Sequence, residues 1–186
     1  MSDNLRHYVT AIYGFDAVIR RVPDDRWSAA SPCEGWSARD VVLHQIGVFD
    51  GVATMARSGD LVRPDPSDEV DDLLVAWTHS RDELLESLDH PDVLRRPGSY
   101  WFDTTSIDEL LGVVMYDPLA HAWDVATAVG IEHHCSADVA AAALGTIEQM
   151  APTLRQYGLI ADAVEVPADA DPVTTFLGVV GRNPLG

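Results

Sequence analysis

Apolar residues recur at intervals of three and four along most of the chain, the spacing of an amphipathic α-helix. The first such stripe begins near Leu5 and ends at Pro23. A second helix is predicted to start after Ser37, a good N-cap, because Asp40 completes a capping-box pattern three residues later. It continues to a predicted loop over residues 59–66. No segment alternates between apolar and polar over more than a few residues, so the pattern predicts an all-α fold.

The second half of the chain repeats this helical pattern. Asp171 and Pro172 are typical of an N-cap and a first helical position, and they predict a short helix that ends at Gly181. Gly130 is a good terminator for the helix before it. The remaining long stripes predict three helices, over residues 67–88, 106–129 and 137–157.

Residues 90–105 interrupt the helices with prolines, a glycine and an aromatic trio of Tyr100, Trp101 and Phe102. This composition predicts a loop or a short strand pair over the bundle, in which the trio either lines a pocket or packs on the bundle end. The whole pattern is typical of a four-helix bundle with an additional C-terminal helix and a short tail packed outside it. We expect a single domain over residues 1–186.

Composition agrees with one globular domain, since 47% of the 186 residues are hydrophobic and 23% are charged. The formal net charge is -18, from 12 basic and 30 acidic residues. Such a charge repels the phosphates of nucleic acids and of anionic membrane surfaces, so neither is an expected partner. The segment from Met1 to Arg20 lacks a signal-peptide pattern, and the two cysteines, Cys33 and Cys135, form no CxxC motif. We expect a cytoplasmic protein with reduced thiols.

Candidate chemistry lies at two histidines on inward-facing helix positions. His44 projects from the apolar stripe of the second helix, where it needs a hydrogen-bonding partner, a metal ion or an acid–base role. His121 has Asp117 one turn before it and Asp124 nearly one turn after it on the same face. A carboxylate and an imidazole at i and i+4 lie about 6 Å apart along the axis, and their side chains can converge on one ion.

Pro118 leaves two interpretations of Asp117 open. Proline removes a helical hydrogen bond and disfavours the α conformation for the preceding residue, so Asp117 and Pro118 are a candidate N-cap and first position of a new helix. The apolar pattern nevertheless runs from Ile107 into Leu119 and Trp123 without a loop signal. The alternative is therefore a kinked, continuous helix on which Asp117 is a metal ligand.

Three segments together resemble actinobacterial proteins related to mycothiol-dependent maleylpyruvate isomerase, in the DinB-like superfamily of metal-binding four-helix bundles. They are SPCEGWSARDVVLH, DPLAHAWDVATAVG and VEVPADADPVTTFLGVVGRNP. The resemblance implies a divalent metal ion, usually zinc with nickel or iron as other candidates, held by His44, Asp117 and His121. Asp117 stands where the isomerase has glutamate. The resemblance assigns no catalytic residue.

The function implied is a thiol-dependent S-transferase or isomerase that acts on a small-molecule electrophile, with mycothiol, the small thiol of actinobacteria, as its co-substrate. A metal ion lowers the pKa of a bound thiol and holds the reactive thiolate. The alternative is a non-catalytic bundle that binds a metal or small molecule, or a homodimeric scaffold. Asp124 is a candidate to orient a ligand imidazole, with a helix-surface or capping role as the alternative. For Cys33 we expect a small buried side chain rather than a nucleophile.

Overall fold

The computed structural model of the protein describes residues 1–59, 70–90, 92–100 and 103–185. Within these residues the secondary structure is almost entirely helical, which confirms the predicted all-α bundle. The helices are α1 (Asp3–Ile19), α2 (Ala38–Ser58), α3 (Leu73–Leu88), α4 (Ile107–Val114), α5 (Tyr116–Val129), α6 (Ala137–Gln156) and α7 (Pro172–Val179).

The start of α2 is built as its sequence predicts. The Ser37 side chain accepts a hydrogen bond from the Asp40 backbone N–H, and the Asp40 carboxylate accepts one from the Ser37 N–H. Two of the otherwise unpaired donors at the helix start are thereby satisfied. The helix ends at Gly59, whose φ of 86° is a left-handed conformation that glycine adopts without strain.

The predicted start of the third helix was wrong. Residues 70–72 are not helical, and α3 begins at Leu73. Asp72 is its N-cap, since its carboxylate accepts hydrogen bonds from the backbone N–H groups of Leu74 and Val75. That pairing stabilises a start at Leu73, six residues after the predicted start at Ser67. Residues 60–69, which include the predicted loop, lie outside the described residues.

A short strand pair occupies the segment before α4, as one of the two predicted alternatives. Strands β1 (Pro97–Tyr100) and β2 (Asp103–Ser106) are antiparallel, with Pro97 opposite Ser106. The two predicted roles of the aromatic trio, lining a pocket or packing on the bundle end, stay predictions. Trp101 and Phe102 lie outside the described residues.

The predicted fourth helix is interrupted rather than continuous. Met115 separates α4 from α5, yet its φ of -60° and ψ of -21° are helical and no loop intervenes. Pro118 explains the interruption, because it has no N–H to donate to the carbonyl of Val114. The chain therefore runs from α4 into α5 with Asp117 already inside the first turn of α5.

The helices pack into a bundle in which α2 contacts α3 and α5, and α1 contacts α4 and α5. Helix α6 lies against α1, α4 and α5, and α7 packs on α6 at the outside. Phe15, Phe49 and Trp77 form an aromatic cluster in the core, with Phe15 and Phe49 each about 5 Å from Trp77 between ring centres. Within the described part of the chain, no helix combines the length and the apolar character that a membrane span requires.

Candidate metal centre

Three predicted ligands from two helices meet in the bundle. His44 extends from α2, and Asp117 and His121 extend from successive turns of α5. His44 Nε2 lies 3.3 Å from Asp117 Oδ2, and His121 Nε2 lies 3.4 Å from Asp117 Oδ1. One donor atom from each residue lies within 4.8 Å of the other two.

Asp117 is not a helix cap. The N-cap position of α5 belongs to Met115, and no side chain makes a cap hydrogen bond there. Asp117 is buried, with 8% of its surface exposed, and its two oxygens are directed at the two histidines. The interpretation of Asp117 as the cap of a helix begun by Pro118 was therefore wrong.

The spacing of these atoms fits a small divalent ion. Typical N–H···O hydrogen bonds measure about 2.9–3.0 Å, so the two nitrogen–oxygen separations are longer than ordinary hydrogen bonds. The two separations run to different oxygens of Asp117, and each is close to the about 3.3–3.4 Å between two ligand atoms of a tetrahedral site with bonds of about 2.0–2.1 Å. Two imidazole nitrogens and a carboxylate are also a ligand set that zinc accepts, and three protein ligands leave a fourth position open.

Asp124 fixes the orientation of the His121 ring. Its Oδ2 lies 2.8 Å from His121 Nδ1, and its side chain is fully buried. The alternative role of Asp124 at the helix surface was therefore wrong. A histidine that donates Nδ1–H to a carboxylate has its lone pair on Nε2, the nitrogen that faces Asp117. This is the arrangement of a carboxylate–histidine–metal triad.

Arg182, which follows α7 in the chain, binds both carboxylate oxygens of Asp124. Its Nε donates to Asp124 Oδ1 at 3.2 Å and its Nη2 donates to Asp124 Oδ2 at 2.7 Å. Cys33 Sγ lies 3.2 Å from the same Oδ2 and 3.5 Å from Arg182 Nη2. Cys33, His121 and Asp124 are also close enough to form a metal-ligand group. The Arg182 guanidinium already supplies positive charge beside this second group, which makes it a poorer cation site than the group of His44, Asp117 and His121.

Gln45, the residue after His44 on α2, supports Asp117. The Gln45 side chain is fully buried and its Nε2 donates a hydrogen bond to Asp117 Oδ2. Its Oε1 is also buried, and it has no hydrogen-bond partner among the described residues. One oxygen of Asp117 is thus held by the amide, and an acceptor remains available close to the ligand group.

Trp36 forms an aromatic wall beside the two histidines. Its ring centre lies 4.9 Å from that of His44 and 6.2 Å from that of His121. The turn before α2 places it there, since the Trp36 N–H donates to the Cys33 carbonyl and the Trp36 carbonyl accepts from the Ser31 N–H. His44 is the most accessible of the three ligands, with 22% of its side chain exposed. The site therefore opens to solvent along the His44 and Trp36 side.

Burial and mutual attraction act in opposite directions on the charged groups of the centre. Burial raises the pKa of Asp117, but the charges of His121 and His44 outweigh burial and hold this pKa well below its ordinary value. Burial lowers the pKa of His121, yet Asp117 and the hydrogen bonds of its neighbours raise it well above its ordinary value. Without a metal, the protonated His121 neutralises the one negative charge by which the carboxylates of Asp117 and Asp124 exceed the guanidinium of Arg182. A metal ion bound to Nε2 of His121 would take the place of that proton.

Sequence analysis assigned no role to Gln45 or Arg182. Gln45 is a polar residue among the apolar residues next to His44, and this position could have indicated a buried hydrogen-bonding role. Arg182 belongs to the terminal Gly-Arg-x-Pro segment, but nothing in the sequence indicates that this segment reaches α5.

Comparison with known proteins agrees with this geometry. Residues 10–126 match the family described as the mycothiol maleylpyruvate isomerase N-terminal domain, a range that includes His44, Asp117 and His121. Two similar proteins are the uncharacterized proteins MT0763 and Rv0738 of Mycobacterium tuberculosis, from strains CDC 1551 and H37Rv. Each is 24% identical to this chain over 183 residues, which cover 97% of this chain and 98% of the relative. The protein therefore belongs to the mycothiol maleylpyruvate isomerase N-terminal domain family, whose members are DinB-like bundles with a metal site.

Proposed function

We propose that the protein is a zinc-dependent enzyme that uses a small-molecule thiol, of the S-transferase or isomerase type, with mycothiol as the thiol. The observation that carries this proposal is the convergence of His44, Asp117 and His121 on one partly open point. A closed structural site would have four protein ligands, whereas three ligands are typical of a catalytic zinc. When bound, the metal would supply Lewis acidity that lowers the pKa of a thiol and stabilises the thiolate.

The protein's own residues have distinct tasks in this proposal. His44, Asp117 and His121 bind the ion. Gln45 holds one oxygen of Asp117, and Asp124 keeps the Nε2 lone pair of His121 directed at the ion. Geometry of this kind keeps the ligands in place without reorganisation when a thiol arrives.

The chemistry of this class balances without an oxidant or reductant. In an S-transfer, the thiol sulfur forms a bond to an electrophilic carbon, the leaving group departs with its electron pair, and the thiol proton is released. In an isomerisation, the thiol adds across a polarised C=C bond and is expelled after rotation about the new single bond. The aromatic wall of Trp36 stands beside the opening through which both reactants would enter.

Metal analysis and thiol binding test the proposal. We expect near-stoichiometric zinc in the purified protein and none in His44→Ala. In the cobalt-substituted protein, mycothiol should add a sulfur-to-metal charge-transfer band, and the same thiol blocked by S-methylation should not. Absence of metal after zinc, nickel and iron are supplied would overturn the metal site. A cobalt spectrum that does not respond to mycothiol or to other thiols would instead indicate a non-catalytic metal-binding bundle.

A further inference from the structure

We propose that Arg182 is a positioning residue of the metal centre, acting through Asp124 on His121, so that the C-terminal turn completes the site built by α2 and α5. This inference rests on the proposed metal-dependent function and extends it to a segment 58 residues from Asp124 in the chain. It assigns a role to Gly181 and Arg182, which follow α7 in the chain.

Two hydrogen bonds from Arg182 hold the Asp124 carboxylate in one orientation. Nε and Nη2 donate to different oxygens of the carboxylate, and Oδ2 also faces His121 Nδ1 at 2.8 Å. The Asp124 side chain is fully buried and that of Arg182 is 12% exposed, so solvent does not compete for these bonds. A bidentate guanidinium–carboxylate pair of this kind restricts direction as well as distance.

The other donors of Arg182 are engaged as well. Nη1 donates to the Val180 carbonyl at 2.9 Å, and Nη2 also contacts Cys33 Sγ. A guanidinium with this many partners has little capacity left to bind a substrate anion. The geometry therefore supports positioning of Asp124 rather than contact with the reacting molecules.

Local structure places Arg182 accurately. The Arg182 N–H donates to the Leu177 carbonyl and the Gly181 N–H donates to the Gly178 carbonyl, which is the pairing of a Schellman motif at the end of α7. Gly181 has a φ of 82°, and an added Cβ would lie 2.6 Å from Ala161 Cβ. Only glycine fits this position, and it sets the direction in which the next residue leaves the helix.

Arg155 on α6 provides a matched control, because it contacts the same C-terminal segment. It donates from Nη2 to the Val179 carbonyl at 2.7 Å and from Nε to the Ala161 carbonyl, but it makes no hydrogen bond to Asp124. Replacing Arg155 removes an anchor of the C-terminal segment and leaves the Asp124 contacts intact. Replacing Arg182 removes the contacts to Asp124.

The experiment measures zinc affinity by competition with a chelating dye for the parent, Arg182→Gln, Asp124→Asn, their double variant and Arg155→Gln. We expect Arg182→Gln to weaken zinc binding about tenfold, as loss of an outer hydrogen-bonding partner does. Arg155→Gln should bind zinc like the parent. Because Arg182 acts through Asp124, the double variant should lose no more affinity than Asp124→Asn alone. Parent-like affinity in Arg182→Gln, or additive losses in the double variant, would overturn the proposal.

A metal-free measurement separates this proposal from the metal site itself. Nuclear magnetic resonance reports the solvent exchange of the His121 Nδ1 proton in the apo protein. We expect slow exchange in the parent and in Arg155→Gln, and faster exchange in Arg182→Gln. Arg182→Lys keeps the charge without the fork and should fall between them. If the parent binds no zinc, the proposed function fails, and the exchange data alone decide on Arg182. Equal exchange in the parent and Arg182→Gln would refute its positioning role.

Discussion

The amide of Gln45 donates a hydrogen bond to the carboxylate of Asp117 across the interface of α2 and α5. Both side chains are buried, and Gln45 follows His44 directly on α2. One helix thus provides both a candidate metal ligand and the support for a candidate ligand on its neighbour. Asp117 has a short side chain, and the Gln45 amide holds it where both histidines reach it.

Gln45→Leu should weaken zinc binding about tenfold, because Asp117 would lose the donor that orients it. The replacement has a similar volume, and it also removes the buried Oε1 that has no partner among the described residues. In the presence of a chelator, removal of that Oε1 offsets part of the cost of leaving Asp117 without this donor, so the free energy of unfolding should fall by no more than about 1–3 kcal/mol. Dye-competition titration measures the first effect and urea denaturation the second. Parent-like zinc affinity would show that Asp117 needs no support from α2.

Loss of a residue that only supports a metal ligand reduces metal affinity about 10–100-fold. Asp117→Asn changes a ligand itself and should reduce zinc affinity by more than this. The side chain is nearly isosteric, but it loses the charge that faces His44 Nε2 and His121 Nε2. Helix formation should be unaffected, since Asp117 makes no cap hydrogen bond. Isothermal titration with zinc and far-ultraviolet circular dichroism make the two measurements. A smaller loss than that of Gln45→Leu would contradict the assignment of Asp117 as a ligand.

The sequence predicted those features that depend on a few neighbouring residues. The capping box of Ser37 and Asp40 acts within one turn, and it formed as predicted. The cap of α7 at Asp171 was predicted for the same reason, and the short strand pair was one of two predicted alternatives. At α3, two residues of N-capping type lie close together, Ser67 and Asp72, and the propensity of each alone did not decide between them.

The candidate site was only partly predictable, because its outer contacts connect distant segments. Helical periodicity places Asp117 and His121 on one face and His44 on the inward face of another helix, and the resemblance implies that all three hold one ion. The bond from Arg182 to Asp124 depends on where α7 packs against α6, and no local pattern specifies that packing. The position of Cys33 beside Asp124 likewise depends on tertiary packing and not on a local sequence pattern.

Removal of the metal should lower the melting temperature. Binding to the folded state alone stabilises it by RT ln(1 + [L]/Kd), about 2.7 kcal/mol at a hundredfold excess over Kd. For a domain of this length, that corresponds to a shift of about 5–10 °C. Differential scanning calorimetry with excess zinc and with a chelator should reveal the difference. His44→Ala should melt at the same temperature in both, and a zinc-dependent shift in this variant would place the ion elsewhere.

A buried carboxylate outside the candidate metal centre, Asp16, should control stability at acid pH without any metal. Its Oδ1 accepts hydrogen bonds from Trp77 Nε1 at 2.8 Å and Arg81 Nη1 at 2.7 Å, and its Oδ2 accepts one from Arg20 Nε. Burial raises the pKa of Asp16, but Arg20, Trp77 and Arg81 together lower it below its ordinary value. A carboxyl whose pKa is lowered by folding stabilises the protein above its unfolded pKa of about 3.9, and this contribution is lost as the pH falls through the folded value.

Asp16→Asn should therefore lower the free energy of unfolding at pH 7 by about 1–3 kcal/mol, because buried donors lose a charged acceptor. The gap between the parent and Asp16→Asn should narrow below about pH 4, where the parent carboxyl takes up its proton. Asp82 offers the matched control, since it pairs with the same Arg81 but has 60% of its side chain exposed. Asp82→Asn should change stability by less than about 1 kcal/mol, as exposed ion pairs contribute little. Chemical denaturation across pH 3–7 measures all three proteins. Equal effects of the two substitutions, or a gap for Asp16→Asn that does not depend on pH, would mean that the buried charge of Asp16 does not stabilise the fold.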